Sequence, residues 1–269
     1  MLNVAVIGAA GRMGRALVTN IIAHENMTLV GAVEYPGSPF VGQDAAVVAG
    51  LPACGVAITD DVRKVAAAVK LDAVIDFATQ GVVECAEAVV PQGVAMVIGT
   101  TAMSVEEKAA LRKLADNGGK LVIAGNMSVG VNLLFKLAAE ATRILGEEFN
   151  VEIIEMHHNQ KIDAPSGTAV RLGEVICETR NWDYDEVVVD GRSGKVGKRP
   201  GKEIGMHALR GGDVVGDHTV VFAANGERVE LTHKASSRDT FAKGALRAAE
   251  FLASAAPGLY DMQDVLGLK

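Results

Sequence analysis

Residues 4–15 read VAVIGAAGRMGR, an apolar run followed by a glycine-rich turn and the beginning of a helical pattern. The apolar run predicts a buried β-strand at 4–8, and Gly8, Gly11 and Gly14 have the spacing GxxGxxG, a variant of a dinucleotide-binding fingerprint. Glycines at such a turn let backbone N–H groups at the helix start approach a pyrophosphate. The loop alone also fits an ordinary glycine turn, so its meaning depends on the elements around it.

The alternation of apolar runs and amphipathic stretches continues through the first half of the chain. The apolar runs are nearly continuous, which predicts strands buried on both faces of a parallel sheet. They lie at 28–34, 73–77, 94–99 and 120–125, with a weaker run at 55–59. Between the last two strong runs, a helical segment begins with a capping box at Ser104 and Glu107 and ends at Gly118. Strand–helix alternation of this kind predicts a Rossmann-like, doubly wound α/β sheet.

The pattern changes after about residue 127. A long helix that Ser128 can cap is followed by a strand with the sequence VEIIEM and by a helix at 167–180. Residues 191–216 are rich in Gly, Arg and Lys, which predicts a mobile loop. Two alternating runs are joined by Ala224-Asn225-Gly226, which predicts a β-hairpin. These two runs lie at 218–223 and 227–232.

The chain returns to a helical pattern after Arg238. We therefore predict a dinucleotide-binding domain of residues 1–127 that is completed by residues 238–269. Residues 128–237 are predicted to form a second domain of the α+β class, which carries the substrate site.

Composition limits the classes of partner. The chain has 269 residues, 49% of them hydrophobic, and a formal net charge of −7 without a long basic run, which argues against a nucleic-acid partner. No apolar stretch is long enough to span a bilayer, and the N-terminal run lacks the cationic residues of a signal peptide. Three widely spaced cysteines do not form a disulfide framework. We expect a cytoplasmic protein that binds small molecules and has no membrane partner.

Glu34 ends the second predicted strand, twenty residues after Gly14. An acid at this place can accept hydrogen bonds from the ribose hydroxyls of a dinucleotide. Arg12 could pair with a 2′-phosphate, whereas Tyr35, which follows the acid, carries no charge. The sequence therefore favours NADH as the cofactor, with NADPH tolerated.

Three more segments lie at the ends of predicted strands, where ligands bind in sheets of this class. They are Asp76-Phe77, Gly99-Thr100-Thr101 and Ala124-Gly125-Asn126-Met127. Either they form a nicotinamide pocket or they are ordinary loop residues, and spacing alone leaves both readings open.

The segment EMHHNQKIDAPSGTA at 155–169 collects groups that donate protons or hold anions. At a strand end His157 and His158 would point to opposite sides, so one can face a substrate as a proton donor. The alternative is a pair of structural histidines. Adjacent histidines do not readily chelate one ion, and no HExxH or CxxC spacing is present, so we predict no metal site. His218 and His233 are interpreted as structural or as hydrogen-bonded within the hairpin.

Lys161 follows closely and could hold a carboxylate, although a lone lysine is usually a solvated surface charge. Here Ser166, Gly167 and Thr168 stand at a predicted helix start, where free N–H groups bind anions. Asp163 could cap the turn or orient Lys161. A proton donor beside such an anion site, in a chain with a nicotinamide site, indicates hydride transfer to a carboxylate-bearing acceptor that is also protonated.

The whole segment resembles the HHxxKxDAPSGT signature of the 4-hydroxy-tetrahydrodipicolinate reductase (dihydrodipicolinate reductase) family of lysine and diaminopimelate biosynthesis. Further similar segments cover essentially the whole chain, namely GAAGRMGR, VIGTT, NMSVGVN, LRGGDVVGDHTV and ELTHKASSRDTFAKGAL. The resemblance implies reduction of a cyclic imine with two carboxylates by NAD(P)H. It also implies a homotetramer assembled through the sheets of the second domain.

The resemblance implies roles for individual residues. His157 matches the general acid, Lys161 the second catalytic position, and His158, Gly167 and Thr168 the contacts of the substrate carboxylates. The implied cofactor contacts are Gly8, Ala9, Ala10, Gly11, Arg12, Met13, Glu34, Gly99, Thr100, Thr101, Ala124, Gly125, Asn126 and Met127. The family often has arginine where this chain has Tyr35, which weakens the case for strong use of NADPH. The competing interpretations are another two-domain Rossmann oxidoreductase and a non-enzymatic NAD(P)-sensing protein.

Overall fold

The computed structural model describes residues 1–100 and 103–269, and the chain divides into two compact units. Unit 1 consists of residues 1–129 and 238–269, and unit 2 of residues 130–237. The strands are β1 (Leu2–Ile7), β2 (Met27–Val33), β3 (Ile58–Thr59), β4 (Ala73–Asp76), β5 (Ala95–Ile98), β6 (Lys120–Ile123), β7 (Asn150–His157), β8 (Val188–Asp190), β9 (Ile204–Arg210), β10 (Gly216–Ala224), β11 (Glu227–Ala235) and β12 (Gly258–Tyr260). The helices are α1 (Arg12–Ile22), α2 (Ala45–Val48), α3 (Val62–Ala68), α4 (Val82–Val89), α5 (Val105–Asp116), α6 (Val129–Leu145), α7 (Gly167–Arg180), α8 (Tyr184–Val187), α9 (Asp239–Ser254) and α10 (Met262–Val265), with a 3₁₀ turn at Val90–Gln92.

Unit 1 is built around a seven-stranded sheet in the order β12-β6-β5-β4-β1-β2-β3, in which every pairing is parallel. The predicted Rossmann-like sheet is therefore confirmed. The weak run at 55–59 contributes a strand of two residues, and β12 was not predicted. Because β12 has three partly buried residues at the sheet edge, it lacks the apolar run by which the other strands were found.

Helices cover both faces of this sheet. On one face Leu17 and Ile21 of α1 are fully buried together with residues of α9, and on the other face Leu111 of α5 is fully buried among residues of α3 and α4. Burying a side chain of this size stabilises the fold by about 1.5–3 kcal/mol. The capping box of Ser104 and Glu107 is present at the start of α5, as predicted.

The segment 238–269 belongs to unit 1 because its helix α9 packs directly on the first segment of that unit. A Cβ on Gly244 would lie 1.7 Å from the carbonyl oxygen of Met127, so the backbone of α9 approaches the end of the first segment as only glycine allows. The side chain of Met127 is buried in the same cluster. Helix α9 thus fixes the position of residues that were predicted to contact the cofactor.

Unit 2 contains a mixed five-stranded sheet in the order β11-β10-β7-β9-β8. The predicted hairpin is confirmed as β10 and β11, and Gly226 has a φ of +93° at its turn. Its core gathers apolar residues of α6, α7 and the sheet, including Leu172, Ile153 and Phe222. The helices and strands of the α+β class that were predicted after residue 127 are therefore present.

The prediction of a loop over the whole of 191–216 was wrong. Residues 204–210 form β9, which pairs in parallel with both β7 and β8. Ile204 and Met206 are buried under α7, and Ile204 lies opposite Val151 of β7. The strand is stabilised by partners far away in the sequence, which the local excess of Gly, Arg and Lys did not indicate.

Candidate active site

The glycine-rich turn connects β1 to α1 with little room for side chains. Gly8 has a φ of +71°, and a Cβ on Gly14 would lie 2.0 Å from the carbonyl oxygen of Gly8. Gly11 precedes α1 in an extended conformation, and no side chain caps the helix. The first N–H groups of α1 are therefore left for a ligand rather than for a capping side chain.

Glu34 lies directly beside this turn. Its Oε1 accepts a hydrogen bond of 2.8 Å from the N–H of Ala10, and the residue is only 9% exposed. The carboxylate that was predicted to bind the ribose is thereby held over the glycine-rich turn. The acid and the turn form one side of a cleft.

This cleft in unit 1 has a volume of about 860 Å³. Its lining includes Gly8, Gly11, Glu34, Tyr35 and the segment 77–81. Two cations also line it, and each is paired: Arg63 Nε lies 3.0 Å from Asp61, and Lys64 Nζ lies 2.5 Å from Asp60. Each of these two cations therefore already has a carboxylate partner.

The remaining predicted cofactor residues are placed less uniformly. Ala9 and Met127 have buried side chains in the core, so their backbone is the part that can face a ligand. Arg12 and Gly125 are exposed, whereas Ala10, Met13, Gly99, Thr100, Ala124 and Asn126 are partly buried. Asn126 Oδ1 accepts a hydrogen bond of 2.9 Å from the N–H of Ser128. Thr101 lies outside the described residues.

Asp76 ends β4 and is wholly buried. Its Oδ1 accepts a hydrogen bond of 2.7 Å from the N–H of Ala78, whereas Oδ2 has no partner within residues 1–100 and 103–269. Burial raises the pKa of Asp76 to about 6. Asp76 therefore holds the turn at the end of β4 at the cost of a poorly solvated carboxyl group.

In unit 2, β7 ends at His157. Alternation along the strand places Glu155 and His157 on the same, buried face, and Nδ1 of His157 lies 2.6 Å from Oε2 of Glu155. His158 follows the strand, and its N–H donates a hydrogen bond of 2.7 Å to Val214 O. The two adjacent histidines thus have different surroundings, the first buried and the second partly exposed.

Glu155 is paired with Arg210 of β9 as well as with His157. Arg210 donates two hydrogen bonds of 2.8 and 2.9 Å to the two carboxylate oxygens. Burial opposes ionisation of Glu155, but the hydrogen bonds from Arg210 and His157 hold its pKa below the usual value. Burial lowers the pKa of His157, an effect that Glu155 opposes and that the charges of Lys161 and Arg210 reinforce.

Lys161 and Asp163 lie in the turn between β7 and α7. Lys161 Nζ is 2.8 and 2.7 Å from the two carboxylate oxygens of Asp163, so Asp163 orients the lysine, one of the two roles that we expected. Helix α7 begins at Gly167 behind Ser166, whose Oγ accepts a hydrogen bond from the N–H of Ala169. A Cβ on Gly167 would meet nothing within 4 Å. Thr168 follows in the first turn of the helix.

His218 of β10 completes the surroundings of His157. Its ring lies edge-on to that of His157 at 5.2 Å, and its Nε2 is 3.0 Å from Ser166 Oγ. Burial lowers the pKa of His218 to about 3, so the ring is neutral at physiological pH. Its packing fits the structural role that the sequence suggested. Within the described residues, no group of three or more His, Cys, Asp or Glu side chains could hold a metal ion.

Two family models match the chain in succession. The model described as "Dihydrodipicolinate reductase, N-terminus" matches residues 2–127, and the model described as "Dihydrodipicolinate reductase, C-terminus" matches residues 130–266. The chain belongs to the dihydrodipicolinate reductase family. It is accordingly an NAD(P)H-dependent oxidoreductase of lysine and diaminopimelate biosynthesis.

Known members of the family are similar over their full lengths. The chain is 51% identical to the 4-hydroxy-tetrahydrodipicolinate reductase of Syntrophotalea carbinolica over 270 residues, which cover 100% of both chains. It is 50% identical to the same reductase of Nitrosomonas europaea, covering 100% of this chain and 99% of the other. A solved structure, the dipicolinate-bound dihydrodipicolinate reductase of Paenisporosarcina sp. TG-14, matches with a TM-score of 0.77 at 26% identity and covers 98% of both chains.

The residues of unit 1 fit the nicotinamide dinucleotide that the family uses. The glycine-rich turn would be filled by any Cβ at Gly14, the helix start behind it has no side-chain cap, and Glu34 lies beside it. Backbone N–H groups in the first turn of α1 would hold the pyrophosphate, and Glu34 the ribose. When bound, the cofactor would supply the hydride that reduces the substrate.

Glu155 and Arg210 were missed as members of the site, although Glu155 begins the segment that was singled out. The signal was available for Glu155: two residues before His157 on a predicted strand, it must share the face of that histidine. Arg210 lies 55 residues after Glu155 in the sequence, in a segment that was interpreted as a loop, so no local pattern connected the two in this reductase.

Proposed function

We propose that this oxidoreductase reduces 4-hydroxy-tetrahydrodipicolinate to tetrahydrodipicolinate, with loss of water, and that His157 is the general acid. The observation that carries the proposal is the position of His157, buried at the end of β7 with its Nδ1 fixed by Glu155. The dipicolinate bound to the Paenisporosarcina reductase supports a planar dicarboxylate ligand for this chain as well.

Reduction of a cyclic imine requires a proton as well as a hydride. Nδ1 of His157 is engaged by Glu155, so the proton to be transferred is the one on Nε2. A Cβ on Gly216 would lie 3.0 Å from that Nε2, and glycine at this position keeps the edge of the ring free of a side chain. His157 can therefore present Nε2–H to a substrate while its other nitrogen stays fixed.

The substrate carboxylates are assigned to the turn that follows β7. Lys161 is the second catalytic residue, and its charge would attract a carboxylate while Asp163 holds its side chain in place. His158, Gly167 and Thr168 bind the carboxylates, the last two in the first turn of α7, where the helix dipole favours a negative charge. Gly167 is exposed and has open space around it, so an anion can approach its backbone.

The proposal is tested by following NADH oxidation with and without enzymatically generated 4-hydroxy-tetrahydrodipicolinate. We expect oxidation that depends on this substrate and is competitively inhibited by dipicolinate. Control substrates are a 2-oxo acid with ammonia, for an amino-acid dehydrogenase, and the ketone of a cyclic polyol, for a sugar dehydrogenase, because each can accept a hydride from NADH. Oxidation with either control but not with the imine would refute the assignment, and binding of NADH without turnover of any substrate would indicate a sensor.

We further propose that NADH is the favoured cofactor and that NADPH is tolerated. The proposed contacts are the fourteen residues of the glycine-rich turn, Glu34 and the ends of β5 and β6 that the family resemblance implies. The carboxylate of Glu34 disfavours a 2′-phosphate, Tyr35 beside it is exposed and uncharged, and Arg63 and Lys64 are already paired. Tyr35→Arg should therefore raise kcat/KM for NADPH relative to NADH, because it adds a phosphate partner. An unchanged ratio would place Tyr35 away from the 2′ position.

The reductase is also proposed to be a cytoplasmic homotetramer. Ile154 of β7 and Leu209 of β9 lie on the face of the unit 2 sheet opposite its core and are 38% and 44% exposed. Exposed apolar side chains on a sheet face favour an interface between subunits. Ile154→Asp should lower the mass measured by light scattering, whereas an unchanged tetramer would exclude this face. All three cysteines are free thiols, which supports a reducing compartment and can be checked by fractionation.

A further inference from the structure

We propose that Glu155 is the positioning residue of this active site: its buried carboxylate orients His157 and, through the same two oxygens, fixes the turn that binds the substrate. The inference rests on the proposed function in one respect, the role of His157 as proton donor. It adds to that function a residue that never touches the substrate and yet determines how the proton donor and the anion site are arranged.

The carboxylate of Glu155 has a full set of donors. Oε2 is 2.6 Å from Nδ1 of His157 and 2.8 Å from Nη1 of Arg210. Oε1 accepts from Nη2 of Arg210 at 2.9 Å and from the N–H of Ser166 at 3.1 Å. The residue is 0% exposed. A buried carboxylate held by donors on two strands and at a helix start has one available orientation, so it can serve as a fixed point.

The first consequence concerns the ring of His157. A carboxylate at Nδ1 keeps a proton on that nitrogen, which fixes the tautomer and leaves Nε2 as the reactive position beside Gly216. The charged and titratable groups around the ring are Glu155 on its own strand, Lys161 in the following turn, Arg210 on β9 and the neutral His218 on β10. Of these four groups, Glu155 alone stabilises the imidazolium.

The second consequence concerns the turn between β7 and α7. The N–H of Ser166 is bonded to Glu155, and Nη2 of Arg210 also donates a hydrogen bond of 2.7 Å to the carbonyl oxygen of Asp163. The carboxylate and its arginine therefore hold the far end of the turn that carries Lys161. Because the same group fixes the proton donor, a displacement of Glu155 should disturb acid catalysis and carboxylate binding together.

The experiment compares Glu155→Gln with Arg210→Gln in the full-length protein and measures two quantities. The first is the pKa of His157, from NMR of ring-labelled histidine. The second is the dependence of kcat on pH. A donor must be protonated, so kcat is lost as pH rises through the pKa of His157. We expect Glu155→Gln to lower the pKa of His157 by about one unit. The alkaline limb of the kcat profile, over which kcat falls as pH rises, should move to lower pH by the same amount, so that kcat is about tenfold lower at pH 7.5. Arg210→Gln should move both to higher pH.

A matched control is available on the same strand. Glu152 is also paired with arginines and a histidine, but it lies on the opposite face of β7, so Glu152→Gln should leave the pKa of His157 unchanged. Glu155→Gln leaves Arg210 without its carboxylate. The double variant Glu155→Gln/Arg210→Gln removes both charges, and circular dichroism checks that each variant folds.

The outcomes separate this inference from the proposed function. If the pKa of His157 does not fall in a folded Glu155→Gln variant, or in the double variant relative to Arg210→Gln, Glu155 is not its positioning residue. If the pKa moves in opposite directions in the two single variants while the kcat limb stays in place, the positioning role stands and His157 is not the proton donor. A rise in KM alone, without a shift of the pKa or the limb, would reduce Glu155 to a support of the turn and overturn the inference.

Discussion

Strand β7 carries two carboxylates that look alike in the sequence and differ in their surroundings. Glu152 and Glu155 each bind arginine and one histidine, but they lie on opposite faces of the sheet. The side chain of Glu155 is 0% exposed and that of Glu152 is 22% exposed. The same types of residue therefore form two clusters, one inside unit 2 and one at its surface.

The partners determine what each cluster can do. Glu152 binds Arg192 and Arg199, both in the segment 191–203, so it ties that segment to the sheet, and Glu203 pairs with Arg192 in the same cluster. His207 uses Nε2 to bind Glu152 at 2.7 Å. His157 instead uses Nδ1, and its Nε2 lies next to Gly216. The two histidines therefore differ in the fate of Nε2, which is bound to a carboxylate in His207 and left for a ligand in His157. This difference distinguishes His207, a structural histidine, from His157, a candidate acid.

The largest expected effect is the loss of the proton donor. His157→Gln should lower kcat by roughly a hundredfold or more, the usual scale of general acid catalysis. The matched variant His207→Gln removes a histidine with the same kind of carboxylate partner and should change kcat by less than about twofold, because His207 lies on the opposite face of the sheet from His157. Steady-state kinetics with saturating NADH measure both. Similar losses in the two variants would show that the two clusters do not differ in function.

The second effect concerns stability. Partial burial opposes ionisation of Glu152, but hydrogen bonds from Arg192, His207 and Arg199 lower its pKa to about 2. A depressed pKa adds stability above the ordinary pKa of a glutamate, and that stability is lost as pH falls from about 4.5 to about 2. Glu152→Gln should therefore lower the free energy of unfolding by on the order of 3 kcal/mol at pH 7.

Urea unfolding at fixed protein concentration would measure this loss, and the difference from the unchanged protein should shrink as the pH approaches 2. The kcat of folded Glu152→Gln should stay near its original value. A difference in stability that is the same at pH 7 and pH 3 would contradict the ionic origin. A large fall in kcat would bring the surface cluster into the reaction.

The comparison also shows what the sequence could predict. The strand at β1, the glycine-rich turn and the acid at the end of β2 are close in sequence and follow local rules, so the Rossmann-like sheet was recognised from them. The hairpin was recognised for the same reason, from Asn225 and Gly226 between two alternating runs. Period-two alternation also places Glu155 on the same face as His157, so this pair follows from the strand pattern alone.

The parts that were not predicted depend on distant partners. Arg210 reaches Glu155 because β9 pairs with β7, and Ile204 is buried because it lies beside Val151 and under α7. The segment at 191–203 looks like a free charged loop until Glu152 is seen to bind its arginines. Ion pairs of this kind join residues 40 to 55 positions apart, and no local pattern of a single sequence encodes them.

The smallest expected effect comes from glycines that face the two clusters. A Cβ on Gly216 would lie 3.0 Å from Nε2 of His157 and 3.4 Å from Cδ2 of the same ring, so the ring must shift by a few tenths of an ångström. Gly216→Ala should lower kcat by about fivefold to tenfold, because small displacements of a positioned acid are costly. A Cβ on Gly205 would lie 1.9 Å from Oε2 of Glu152, so Gly205→Ala should instead lower stability, by about 1–3 kcal/mol. If the inner cluster serves the reaction and the outer cluster serves the fold, Gly216→Ala should lose kcat and keep its stability, whereas Gly205→Ala should lose stability and keep its kcat. Steady-state kinetics and urea unfolding of both variants measure these two quantities. A fall in kcat for Gly205→Ala with no loss of stability would reverse that assignment, because the outer glycine would then act on the reaction through Glu152.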